Sequence, residues 1–244
     1  MNKEVRKKAK KALNEHRKVG ISTYLVTVVV STIGLLLLLL IRNIEVNLLG
    51  LNEFSLSVSI LNFALNYIYL FLFLMPLSVG MMWFYLDLFD LKSPKFQILT
   101  EGFKDYKRSV GVMFFVIILD YLWSLLFIIP GMIKSLAYSQ APYILRDYPE
   151  IDSLDALTLS RQMMKGHKWR FLLLNLQFLI WFIPGIIMYS YGIYLLTLYS
   201  MHMSSFFYLI FGGIYIIALS IYMNPYIFTA NAGFYRELAN EFRD

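Results

Sequence analysis

The amino-acid sequence predicts an all-α, polytopic membrane bundle of about six transmembrane helices, with two cytoplasmic amphipathic elbow helices and a basic N-terminal helix. Three observations carry this expectation. Several apolar runs exceed the ~20 residues needed to cross a hydrocarbon core of about 30 Å. Charged residues make up only 16% of the 244, against roughly 25% in soluble domains. The charges are also gathered into a few polar stretches between the runs. The chain reads as one integral membrane domain: a basic cytoplasmic segment 1–19, a first hairpin 20–86, an elbow with a second hairpin 87–146, and an elbow with a third hairpin and tail 147–244.

The elements follow in order. In residues 3–18, Val5, Ala9, Ala12, Leu13 and His16 form a weak apolar stripe among many lysines and arginines. That stripe fits a helix lying on anionic lipid, or a solvated tail that only fixes orientation. Helix one, about 20–41, is too long for a signal-peptide core and is read as retained. Helix two, about 58–86, is long enough to tilt or kink, with Pro76 as the cause. Asn62 and Asn66 share one of its faces and can bond a neighbouring helix. In the first elbow Ser93 can cap, Pro94 fits a first helical position, and Phe96, Leu99, Phe103 and Tyr106 face lipid or the bundle. Helix three, about 109–129, ends at Pro130-Gly131, because proline restricts the residue before it and glycine permits a sharp turn. Helix four, about 131–146, is short. The second elbow opens at Asp152 or Ser153 and closes on Lys165, His167, Lys168 and Arg170. Helix five begins near Trp169 and meets a second helix-break motif at Pro184-Gly185; helix six spans about 206–232.

Of the 22 lysines and arginines, 8 precede helix one, 5 lie in the first elbow, 5 fall from Arg146 to Arg170 and 2 follow helix six; only Arg42 and Lys134 remain. The positive-inside rule makes the crowded side cytoplasmic, with both termini there. The net charge of +6 is distributed for lipid headgroups rather than nucleic acid. The absence of cysteine excludes disulfides, thiolate metal sites and cysteine nucleophiles.

Asp120 is the residue to single out. A carboxylate at mid-bilayer costs a few kcal/mol, so it must face the bundle, pair or be protonated. Lys134, on the opposite arm of the hairpin, differs from it in depth by roughly six residues, about 9 Å, which a lysine stem nearly closes. Tyr138, Gln140, Asn175 and Gln177 complete a candidate intramembrane polar site; its alternative is a structural network that fixes packing. Lys165, His167, Lys168 and Arg170 are candidates for gripping headgroup phosphates, or for anchoring topology. No catalytic residues, metal site or cofactor are expected: the three histidines lie far apart, and neither a phosphate-binding loop nor a nucleophile elbow occurs.

Two weak internal matches stand out. Residues 127–133 (FIIPGMI) pair with 181–187 (WFIPGII), and Pro142-Tyr143-Ile144 with Pro225-Tyr226-Ile227. Both copies enter from the charged side, so the repeat would be parallel. Pro130-Gly131, Ala156 to Ser160, Met164 to Trp169, and Pro225-Tyr226 with Phe234-Tyr235 resemble the bacterial membrane family named domain of unknown function 975, over roughly residues 90–244. The chain departs from that pattern after Trp181, where some forty residues precede Pro225. The resemblance implies a multi-pass protein of a bacterial cell membrane and no established activity. Two functions are expected. One is a non-enzymatic protein that binds or translocates an amphipathic molecule, lipid or peptide, at the polar site. The other is a scaffold, accessory subunit or immunity protein acting by contact with a membrane protein partner.

Overall fold

The computed structural model describes residues 2–48, 56–92, 94–199 and 203–243, and the elements among them are helices. In chain order these are α1 (Asn2–Glu15), α2 (Arg17–Asn43), α3 (Leu56–Tyr69), α4 (Met75–Phe89), α5 (Ile98–Lys104), α6 (Tyr106–Leu126), α7 (Ile128–Tyr138), α8 (Ala141–Asp147), α9 (Ser153–Met163), α10 (Lys168–Leu179), α11 (Ile183–Tyr199) and α12 (Met203–Arg243). Among the described residues, five stretches are long and apolar enough to cross a membrane: Arg17–Asn47, Leu56–Phe89, Tyr106–Leu125, Lys168–Leu198 and Met203–Phe242. Large apolar side chains such as Leu36, Leu125 and Ile187 point outward from them, as lipid contact requires.

The apolar stripe of α1 has a partner within the chain. Val5, Ala9, Ala12 and Leu13 are buried, and α1 packs on α4 and α12. The Tyr226 hydroxyl donates to the Arg6 carbonyl at 3.1 Å, and the Asn2 amide to the Arg170 carbonyl at 2.8 Å. The expected choice between lipid and solvent for this face is therefore replaced by the bundle itself.

The second span bends where Pro76 demands it. Proline has no N–H for the Leu72 carbonyl, so the ladder slips: residues 70–74 form a π-turn, and Met75 N–H bonds back to Leu70 O. Asn62 does reach across helices, donating to Glu45 at 2.8 Å. Ser93, expected to cap the first elbow, lies outside the described residues. The helical part of that elbow, α5, packs on α4 through buried Leu99, with Phe103 against Phe73 at 5.7 Å between ring centroids.

At the first Pro-Gly motif the chain turns earlier than the sequence predicts. Phe127 is extended (φ −160, ψ 143) and separates α6 from α7. Pro130 then sits in the first turn of α7, where its missing N–H would have had no partner. Gly131 lets α7 lie directly on α6: a Cβ there would come within 2.3 Å of the Ser124 hydroxyl and 2.9 Å of its Cα. The expected fourth helix is two short pieces, α7 and α8, broken at Ser139-Gln140 before Pro142; neither alone has membrane-spanning length.

The second motif behaves differently. Pro184-Gly185 does not end a helix; α10 runs through a 3₁₀ turn at residues 180–182 into α11. The Tyr215 hydroxyl donates to the Trp181 carbonyl at 3.0 Å, satisfying one group disturbed by the bend. α11 and α12 then pack closely, because Gly212 has no Cβ: one added there would meet the Tyr189 backbone nitrogen at 2.8 Å. Pro225 lies inside α12, whose 41 residues make about 60 Å of helix, roughly twice the hydrocarbon core. One end of α12 must therefore stand in the headgroup zone or beyond, and its charged residues Arg236, Glu237, Glu241 and Arg243 mark which.

Candidate functional site

The residues proposed for an intramembrane polar site are not gathered into one centre. Asp120 (α6) and Lys134 (α7) lie equally far in sequence from the turn at Phe127, yet they point different ways. Asp120 is half-buried, and its Oδ1 is enclosed without a hydrogen-bond partner among the described residues. Lys134 instead places its ammonium over the Trp123 ring, 4.3 Å from the centroid. The ion pair allowed by stem length is not made.

Tyr138 and Gln140 are buried where α7 meets α8. The Gln140 amide donates to the Ser139 hydroxyl at 2.7 Å, and its backbone N–H to the Ser160 hydroxyl at 3.2 Å. Ser160 in turn donates to the Ala137 carbonyl at 2.8 Å, so α9 stitches the break. Gln140 lies roughly 9 Å deeper toward the charged side than Asp120, counted from the turn at helical rise. Asn175 bonds back to the Phe171 carbonyl of its own helix at 3.0 Å. Gln177 projects about 200° away from it around α10, so one centre cannot hold both.

The basic quartet is divided as well. His167 Nδ1 accepts from the Arg170 guanidinium at 2.9 Å, and both side chains approach Glu241 of α12, at 3.7 and 3.9 Å. Lys165 is exposed and Lys168 half-exposed. The α9–α10 turn passes through Gly166 at φ +86, a conformation glycine adopts without strain.

Two features lie outside the residues singled out from sequence. The first is a charge network where α4, α5, α8 and α12 converge. The Arg146 guanidinium bonds Asp87 at 2.9 Å and also Glu101, and lies over the Trp83 ring. Burial alone would lower its pKa; the hydrogen bonds and charges of Asp87 and then Glu101 outweigh that and raise it, so the group stays cationic. Beside it, Arg236 bonds Asp90 and Asp147, and the Tyr235 hydroxyl donates to Asp147 at 2.8 Å. Tyr143 and Tyr235 stack with centroids 5.4 Å apart. This network closes the charged end of the bundle and leaves its cations occupied.

The second is a groove of about 350 Å³ between the α1–α2 junction, the α10–α11 bend and α12. Such a volume is at the small end of ligand pockets, which run from roughly 300 Å³ upward. Three helical faces build it. Lys10, Leu13, Asn14 and Arg17 follow i, i+3, i+4, i+7 spacing, with Ile21 one turn further along α2. On α12, Tyr226, Tyr222, Met223 and Leu219 occupy one face. Trp181, more than half exposed, completes the deep end. Arg17 lies over the Tyr222 ring, 5.5 Å from its centroid. The helical spacing on α1 and α2 was readable; that α12 would stand opposite was not.

Comparison with known proteins yields a family and no nearer relative. A family model described as "Protein of unknown function (DUF975)" matches residues 57–241. No curated protein and no solved structure matches. The match begins further toward the N-terminus than the motifs alone indicate, and it leaves α1 and α2 outside.

Proposed function

This chain belongs to the DUF975 family, whose function is unknown, and we propose that it is a non-enzymatic integral membrane protein that binds or translocates an amphipathic molecule. The observation carrying this reading is the groove beside α1, cationic at one end through Lys10 and Arg17 and apolar at the other through Ile21, Leu219 and Trp181. A molecule with a polar head and a greasy body matches both ends at once, whereas a wholly polar or wholly apolar ligand matches one. On this reading Asp120 and its neighbours pack the α6–α7 hairpin, and the ligand lies elsewhere.

The same proposal includes the setting. The protein sits in a bacterial plasma membrane with both termini cytoplasmic, and the broken pair α7–α8 brings the chain back as a sixth crossing. What supports this is that all lysines and arginines but Arg42 and Lys134 gather toward the ends of the spans on one side.

The test is to fill the groove. Leu219→Trp, a half-buried position, is expected to weaken binding of a fluorescent lysolipid to the purified protein at least fivefold, with helicity and thermal stability unchanged. Equal binding by wild type and variant would end the groove reading and leave a role exerted through protein–protein contact.

A further inference from the structure

We infer that the groove takes an anionic, phosphate-bearing lipid, its headgroup between Lys10 and Arg17 and its acyl chains along Ile21, Leu219 and Trp181. This rests on the amphipathic-ligand reading and commits it to a ligand class. Charge is the first argument. Lys10 and Arg17 make no ion pair among the described residues, and the neighbouring acid, Glu15, lies 3.9 Å from Lys11. Lys7, Lys10 and Lys11 also line the adjoining surface beside a single acid, Glu15, so the mouth keeps a net cationic field. A zwitterionic headgroup would bring its ammonium into that field, while a net-anionic phosphodiester brings only the attractive charge.

Depth is the second argument. Arg17 is the first residue of the apolar span Arg17–Asn47, which puts its guanidinium at the boundary where phosphates lie. From Tyr226 to Leu219 the groove wall descends two helical turns, roughly 10 Å, enough for a glycerol backbone and the upper acyl chain. The third argument is access. Trp181 and Tyr222 are 59% and 54% exposed on the flank of the spans, so the groove opens sideways to lipid rather than upward to water alone. A free phosphate would use the mouth and leave the apolar floor bare.

The experiment uses the full chain, equilibrated with equal amounts of dioleoylphosphatidylglycerol and dioleoylphosphatidylcholine in detergent and read by native mass spectrometry. Wild type is expected to retain the phosphatidylglycerol at least fivefold over the phosphatidylcholine. K10Q/R17Q should bring that ratio near one, and K3Q/K18Q, which removes the same charge away from the groove, should leave it. Lys10 and Arg17 are exposed side chains, and the single K10Q variant, expected to show an intermediate ratio, serves if the double variant does not fold. Equal retention of both lipids by wild type, or a preference unchanged in K10Q/R17Q, overturns the anionic assignment. If the assignment fails while L219W still expels lipid, the groove reading stands; if L219W retains both lipids as wild type does, the groove reading falls with it. Displacement of the lipid by sn-glycerol 3-phosphate would assign the mouth to a free phosphate ester and overturn the inference.

Discussion

Arg236 grips Asp90 with two of its nitrogens, Nε at 2.9 Å and Nη2 at 2.6 Å, and so fastens α12 to the end of α4 across 146 positions of sequence. Its remaining nitrogen bonds Asp147 of α8. Both ion-paired side chains are about four-fifths buried, so the geometry is protected from water and the guanidinium fork is used in full.

Arg236→Gln is therefore expected to destabilise the protein by on the order of 3 kcal/mol, the low end for breaking a buried pair. Thermal unfolding in detergent measures it. Arg236→Lys should recover only part of the loss, since an ammonium cannot bond Asp90 and Asp147 with the same fork. Equal melting of Arg236→Gln and wild type would show that the network is ornamental.

Gly212 and Gly213 make a paired prediction. An alanine at 212 meets the Tyr189 backbone, which cannot step aside, whereas one at 213 meets only the Tyr189 ring at 3.9 Å. Gly212→Ala should cost about 1–3 kcal/mol as overpacking, and Gly213→Ala less than about 0.5 kcal/mol. The reverse order would mean that α11 and α12 do not pack in this register.

Asp120 and Lys134 should respond to mutation independently. A double-mutant cycle of Asp120→Asn and Lys134→Gln is expected to give a coupling energy below about 0.5 kcal/mol. Lys134→Gln loses the contact with Trp123, worth about 0.5–1 kcal/mol, and Asp120→Asn leaves that contact untouched. A coupling above about 1 kcal/mol would restore the ion pair across the hairpin.

What the sequence made readable, and what it withheld, divides along physical lines. Apolar runs announce helices because the bilayer demands them, so the long spans were readable, with most boundaries a few residues off and the end of the last helix, at Arg243, set well short at 232. The α1 stripe announced a helix too, but lipid and protein look alike to an apolar face, and α12 could not be named as its partner. FIIPGMI and WFIPGII read as one signal, yet Phe127 turns a corner and Trp181 only bends. The local chain permits both, and the packing of Gly131 on Ser124 and of Gly185 on Tyr215 decides. Asp120 and Lys134 were placed by depth alone; rotation about two helix axes, which a single sequence does not encode, separates them. The Arg236–Asp90 pair joins two residues that carry no local sign of each other.

Sidedness can be read with single cysteines, since the chain has none of its own. Lys104→Cys and Lys165→Cys are expected to react with a membrane-impermeant maleimide only after intact cells are opened, and to the same extent. Labelling of one but not the other in intact cells would put the two elbows on opposite faces and remove the sixth crossing.

Docking of α1 is open to a protease. Ala9 is fully enclosed between α1 and the bundle, so Ala9→Glu should free the helix and speed tryptic cleavage among Lys7, Lys8, Lys10 and Lys11 at least tenfold, with the spans intact. Unchanged cleavage would mean that α1 is held by something other than its stripe.

That docking also orders the protein's own assembly. The Tyr226–Arg6 bond joins positions 220 residues apart, so α1 leaves the ribosome long before α12 exists, and until α12 has entered the bilayer it has α2 and α4 to pack on. The groove's cationic lip has no opposite wall until Leu219 to Tyr226 arrive, so a chain halted before α12 has helices but no mouth.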